Sequence, residues 1–339
     1  ERDWSDIPLV LDLQDLRCEY REIYQQEKQL SQAEEWKDKE ISHKQAREIV
    51  QYLAQYCASK TGSYSKAEKK YIYRDRTLYA IAQSWQRYLI IKYLVYCPMR
   101  QEEIRNLKLN ENLFRQLDEQ GFAYYFVKLK EHKRSTYGRE RSYRLPYILT
   151  QDLDWWFNYW RPLILDSVQT VEKWMSFFGK SLEDIDKQKN IIEQESLTLI
   201  ENDNKLKRKE KQLFHLQNRV EMLPKVQENL NSHNYVFFKI SNFASFGQPH
   251  CISSFSGLVT KEMKRATKML YGEEKSVNPH AFRNIAEKHI RQLGKSDMKN
   301  QFATWIGHSE EMGDEYAAKI TTDDDLTKDI VDSWWKIRK

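Results

Sequence analysis

His308 and Tyr316 stand eight residues apart across "WIGHSEEMGDEYA", an acidic stretch that contains glycine and has no apolar face of its own. A tyrosine hydroxyl is a weak nucleophile near neutral pH, so chemistry at Tyr316 requires an electrophile whose charge is already neutralised by fixed donors. Phosphodiesters are such electrophiles. Arginine suits them best, because its planar fork holds two phosphate oxygens at once. Arg100 directly follows the apolar run "LVYCPM", and Glu103 follows Arg100 by three residues. Arg283 lies in "HAFRN", three residues after His280, which puts both on one helical face.

Taken singly, each of these is ordinary. An arginine and a glutamate at i, i+3 usually form a surface ion pair worth a few tenths of a kcal/mol, and Tyr316 is one of 20 tyrosines. Their order along the chain carries the information. The set resembles the catalytic domain of the tyrosine recombinase (phage integrase) family. Arg100, Glu103 and "IRNLKL" are similar to its first box, His280 and Arg283 to its His-x-x-Arg box, and Ile306, Gly307, His308 and Ser309 to its Leu/Ile-Gly-His-Ser element, with Tyr316 following. The resemblance implies a lysine on a β-hairpin between the boxes, here Lys133 in "EHKRSTYG", with Lys130 as the fallback. It covers about residues 40–339 apart from an insertion. Three features depart from the family pattern: Asn284 stands where a second histidine is frequent, the His308–Tyr316 interval is one residue short, and 180 residues separate Arg100 from His280.

What the resemblance implies is site-specific DNA recombination or integration. Tyr316 attacks a DNA phosphate to form a 3′-phosphotyrosine, while Arg100, Arg283 and His308 stabilise the non-bridging oxygens. Lys133 protonates the departing 5′ oxygen, His280 acts as base or orienting group, and Glu103 holds Arg100 or the neighbouring backbone. The reaction needs no cofactor and no metal. The implied partners are double-stranded DNA and further copies of the chain, from dimer to tetramer on DNA. A telomere resolvase or type IB topoisomerase uses the same chemistry. The alternative from another class is a catalytically inactive DNA-binding or architectural protein assembled through its insertion.

The scarcity of Gly (10) and Pro (7), beside 13% aromatics, predicts a mainly α fold with a small antiparallel β-sheet. With 55 basic against 50 acidic residues, charge distribution matters more than the sum. The basic run Lys128–Arg144 places Lys130, Arg134, Arg139 and Arg141 as DNA-contacting candidates. Cys18, Cys57, Cys97 and Cys251 lack metal or disulfide spacing and read as reduced, partly buried thiols. Without a signal peptide or an apolar run of about 18 residues, the expectation is no membrane and a cytoplasmic, or in a prokaryote nucleoid-associated, location.

The elements that must position these groups follow from periodicity. Residues 1–38 read as an N-terminal arm or the remnant of a DNA-binding domain, 39–165 as the first part of a catalytic domain and 233–339 as its second part with a C-terminal helix ("DSWWKIRK") fit to dock on a neighbouring subunit. Ser42 is a helix cap, and Leu78, Ile81, Trp85, Leu89, Tyr93 and Tyr96 stripe a core helix that ends at Pro98. "FAYYFVKLK" and "RSYRLP" form a hairpin turning near Gly138, and 152–165 is a helix with a local kink or break at Pro162. "NYVFFKI" reads as strand-like. Between them, apolar residues recur every seven positions from Val171 through Phe178, Ile185, Ile192, Leu199, Leu206 and Leu213 to Val220. This predicts an α-helical coiled-coil hairpin inserted at 166–232, with arms at about 166–201 and 205–230 joined at "ENDNK". One long helix exchanged between protomers is the other reading.

Overall fold

The computed structural model describes residues 13, 16, 17, 20, 38–65, 68–130, 141–198, 203–241, 243–293, 301, 302, 305 and 306. Helix α1 (His43–Gln55) begins where its cap was expected: Ser42 Oγ accepts from Gln45 N at 3.1 Å, and Gln45 Oε1 accepts from Ser42 N at 2.8 Å. Helix α2 (Leu78–Tyr96) is buried all round from Tyr88 to its end, as suits a central core helix. It packs against α1, α10 (Ile252–Tyr271) and α11 (Pro279–Gln292). One continuous apolar core draws on residues from Ile41 and Leu89 to Val259, Ala286 and Ile306.

Strands β3 (Leu113–Leu117), β4 (Ala123–Leu129) and β5 (Arg141–Arg144) form an antiparallel sheet in that order. Leu113, Val127 and Tyr143 lie abreast across it and are all buried, so the register is held by its core face. The expected hairpin is thus the β4–β5 pair, with β3 added and Gly138 outside the described residues. A second, separate ribbon of β1 (Lys60–Ser65) and β2 (Lys70–Asp75) has no counterpart among the elements expected from the sequence. "NYVFFKI" forms no strand. Tyr235 and Phe238 make isolated bridges to Lys108 and Pro249, while Val236, Phe237 and Phe238 are fully buried.

Pro162 does not break its helix. After α4 (Thr150–Trp155), the chain stays helical, widens into a π turn over Trp156–Trp160 and continues as α5 (Arg161–Ser167), so the turn preceding the proline is the widened one.

The segment expected to form a coiled-coil insertion departs from its seven-residue pattern at the start. The expected first arm is divided into α5, α6 (Val171–Phe177) and α7 (Leu182–Thr198). Phe178 is not a seam residue: it packs with Tyr79, Trp174 and Phe243 in the core. Gly179 then turns the chain at φ +64, where a Cβ would lie 2.9 Å from Thr77 Cγ2, so both conformation and space demand glycine. Helices α7 and α8 (Asp203–Glu221) pack against each other, unlike one long helix. Then α9 (Leu223–Asn231) returns to the core through Leu223, Val226 and Leu230. Of the cysteines described, Cys97 is buried and Cys57 half-buried, but Cys251 is exposed. No helix among the described residues is long and apolar enough to cross a membrane.

Candidate functional site

Two arginines from separate elements pair with one buried carboxylate, and a third feels its charge. Arg100 occupies the N-cap of α3 (Gln101–Arg105), where the chain leaves the buried Cys97–Met99 turn. Glu103, in the first turn of α3 and only 5% exposed, receives Arg100 Nη1 at 3.4 Å. The same oxygen receives Arg141 Nη1, from the start of β5, at 2.5 Å. A buried carboxylate costs several kcal/mol to desolvate unless it is paired, and here two guanidiniums share that task.

Arg283 comes from α11, whose entry follows from local sequence: Asn278 Oδ1 accepts from Ala281 N at 2.9 Å, and Pro279 opens the helix. Its side chain is interior, 3% exposed. Nη1 donates to the Pro98 carbonyl at 3.3 Å and Nη2 to the Ile306 carbonyl at 2.6 Å. Burial, then the like charges of Arg100 and Arg141, pull its pKa down to about 10, against the opposing pull of Glu103 and Glu287. It stays charged at neutral pH. His280, one turn earlier, has its pKa lowered by partial burial and by the cations Arg283, Lys39 and Arg100, which favours the neutral imidazole.

Arg141 does more than meet Glu103. Its Nη2 donates to the Trp305 carbonyl at 2.5 Å and lies 3.3 Å from Met99 Sδ. Consecutive carbonyls, at 305 and 306, are therefore fastened by two arginines from β5 and α11. Phe302, Trp305 and Ile306 are buried beneath them. Among the DNA-contacting candidates, Arg141 is thus engaged in the interior, whereas Lys130 is exposed just past β4. Lys133, Arg134, Arg139, His308 and Tyr316 lie outside the described residues.

The structure brings together Arg100, Glu103, His280 and Arg283, and adds Arg141 and Lys39, which sequence reasoning did not place there. For Arg141 the signal was its alternation with Tyr143, a residue buried on the core face of β5. Chemically, three guanidiniums beside Glu103 and Glu287 still leave positive charge that favours an anion, while a neutral imidazole nearby can accept a proton. Among the described residues no group of three or more His, Cys, Asp or Glu could hold a metal ion. Comparison with known proteins gives no match to any protein-family model, curated protein or solved structure.

Proposed function

We propose that this chain is a DNA strand transferase of the tyrosine recombinase type, cutting and rejoining duplex DNA through a 3′-phosphotyrosine. The observation that carries the reading is the gathering of Arg100 and Arg283, 183 residues apart, around Glu103, with the backbone two residues ahead of His308 held at the same place. In the proposed reaction, Tyr316 Oη attacks phosphorus, a new P–O bond forms, and the bond to the 5′ oxygen breaks. Lys133 gives that oxygen its proton. Arg100, Arg283 and His308 stabilise the charge on the non-bridging oxygens, and neutral His280 takes the tyrosine proton or orients the phosphate. A partner strand's 5′ hydroxyl reverses the step. The exchange of one phosphoester for another conserves bond energy. In this reading α7 and α8 are the two arms of a coiled-coil insertion that contacts other subunits during synapsis.

A duplex nicked beside the cleavage site, which traps the covalent intermediate, tests the proposal. The expected result is a protein–DNA adduct formed by the parent and lost in Tyr316→Phe. Duplex binding with no adduct from the parent overturns it in favour of an architectural DNA-binding protein.

A further inference from the structure

We infer that the β1–β2 ribbon is a second contact for duplex DNA, distinct from the residues gathered at Glu103; the choice of DNA as the polyanion rests on the function proposed above.

The ribbon is fastened at its base and exposed along β2. From Lys70 to Asp75, every residue of β2 is exposed except half-buried Ile72, with Tyr71 at 65% and Tyr73 at 70%. A two-stranded hairpin alone in water is marginally stable, so a fold that extends one into solvent gains little from it unless something else covers it. Its root is rigid. The Arg76 guanidinium donates to the carbonyls of Tyr56, Ala58 and Ala80 and to Ser84 Oγ, joining the end of α1 to the start of α2. Arg76 N donates to the Ser59 carbonyl at 2.8 Å and closes the ribbon's base.

Its two faces differ in chemistry. Gly62 lies opposite Tyr73 and Tyr64 opposite Tyr71, so these positions share one face. The Tyr73 ring lies across the glycine, where a Cβ at position 62 would fall 2.9 Å from its Cε1. A ring seated this way loses less freedom on binding. The opposite face carries Lys70 and Arg74, the latter beside Thr61. Residues 60–76 hold six basic residues against two acidic ones, a bias that the whole chain, at 55 to 50, does not share. Two of the lysines have exposed partners, Lys70 with Glu68 at 2.8 Å and Lys60 with Asp75 at 4.0 Å, pairs that salt screens easily. Lys69 and Arg74 have no acidic partner among the described residues. Duplex DNA fits this combination: its major groove admits a two-stranded ribbon, basic side chains and tyrosine hydroxyls take the phosphates, and the rings lie against sugar and base edges.

Fluorescence anisotropy of the full chain on a labelled duplex, repeated from about 50 to 200 mM salt, provides the test. Lys70→Ala with Arg74→Ala lowers affinity about tenfold and reduces the log–log salt slope by about 2. Tyr71→Ala with Tyr73→Ala lowers affinity by a similar factor and leaves the slope unchanged. Gly62→Val, which displaces the Tyr73 ring, follows the tyrosine pair. The thermal midpoints of the two exposed pairs match the parent's. Affinity and slope equal to the parent's in both pairs overturn the inference, as does a parent that binds no duplex. Lost self-association at unchanged DNA affinity also overturns it, making the ribbon a protein contact. The nicked-substrate adduct separates the two ideas. An adduct with ribbon-independent binding sinks the ribbon alone, whereas ribbon-dependent binding without an adduct sinks strand transfer alone.

Discussion

Around buried Glu103 lie the guanidiniums of buried Arg283 and of half-buried Arg100 and Arg141, while along α7 and α8 charges of both signs face water. Both regions are rich in ionisable residues, but their energetics are opposite. In the interior each charge is costly unless a specific partner meets it, so position is tightly specified. On the helical pair, Lys187 and Glu183 at 3.4 Å remain 66% and 81% exposed, and water screens what they gain from each other. The density of charge in a sequence therefore says little about its consequence. Burial decides it.

The difference can be tested by breaking each region in turn. The largest effect is expected from Arg283→Lys, which keeps the charge but loses the fork that reaches both Pro98 and Ile306. Adduct formation on the nicked duplex should fall about 10²- to 10³-fold, or about 3–4 kcal/mol. Glu103→Gln removes the one carboxylate the arginines share and should cost about 3 kcal/mol in urea unfolding. A loss below 1 kcal/mol would show that the arginines find their neutralisation elsewhere.

A third prediction concerns pH. His43 of α1 stacks on His289 of α11 with ring centroids 4.3 Å apart, and burial, then His289 and Arg47, lower its pKa to about 3. Its folded-state pKa lies below the unfolded value of about 6.5, so the unfolded chain takes the proton first. The stabilisation is complete above about pH 6.5 and is lost as pH falls towards 3, reaching about 2 kcal/mol by pH 5. Urea midpoints at pH 7 and pH 5 measure it, and His43→Leu should flatten the difference. The smallest effect belongs to the exposed helices: Lys187→Ala should change stability by less than about 0.5 kcal/mol. A larger loss there would erase the contrast between the two regions.

Legibility in the sequence follows the same division. Ser42, Asn278 with Pro279, and Arg100 with Glu103 act over three or four residues, so their geometry is local and their spacing reveals it. Arg141 meets Glu103 at 38 residues' separation and Trp305 at 164, and in a run of basic residues nothing marks it as the interior one except alternation with Tyr143. The β1–β2 ribbon escaped because "KTGSYS" has no apolar alternation, and its partner strand β2 buries almost nothing. The seven-residue pattern ran through Phe178 because periodicity does not distinguish a helical seam from an aromatic core. Gly179 was the stronger signal. His308 and Tyr316, which pose the chemical question, lie outside the described residues.

One contact at the base of the helical pair has a wider consequence. Trp174 Nε1 donates to the Arg219 carbonyl at 2.9 Å, clasping the strand of chain that goes out to the one that comes back. Because departure and return are neighbours, the excursion between them is a module whose length is free. Seven residues more in each arm would carry the tip about 10 Å further without moving either end. Reach can therefore be tuned in steps, like the arm of a caliper, while the core stays still.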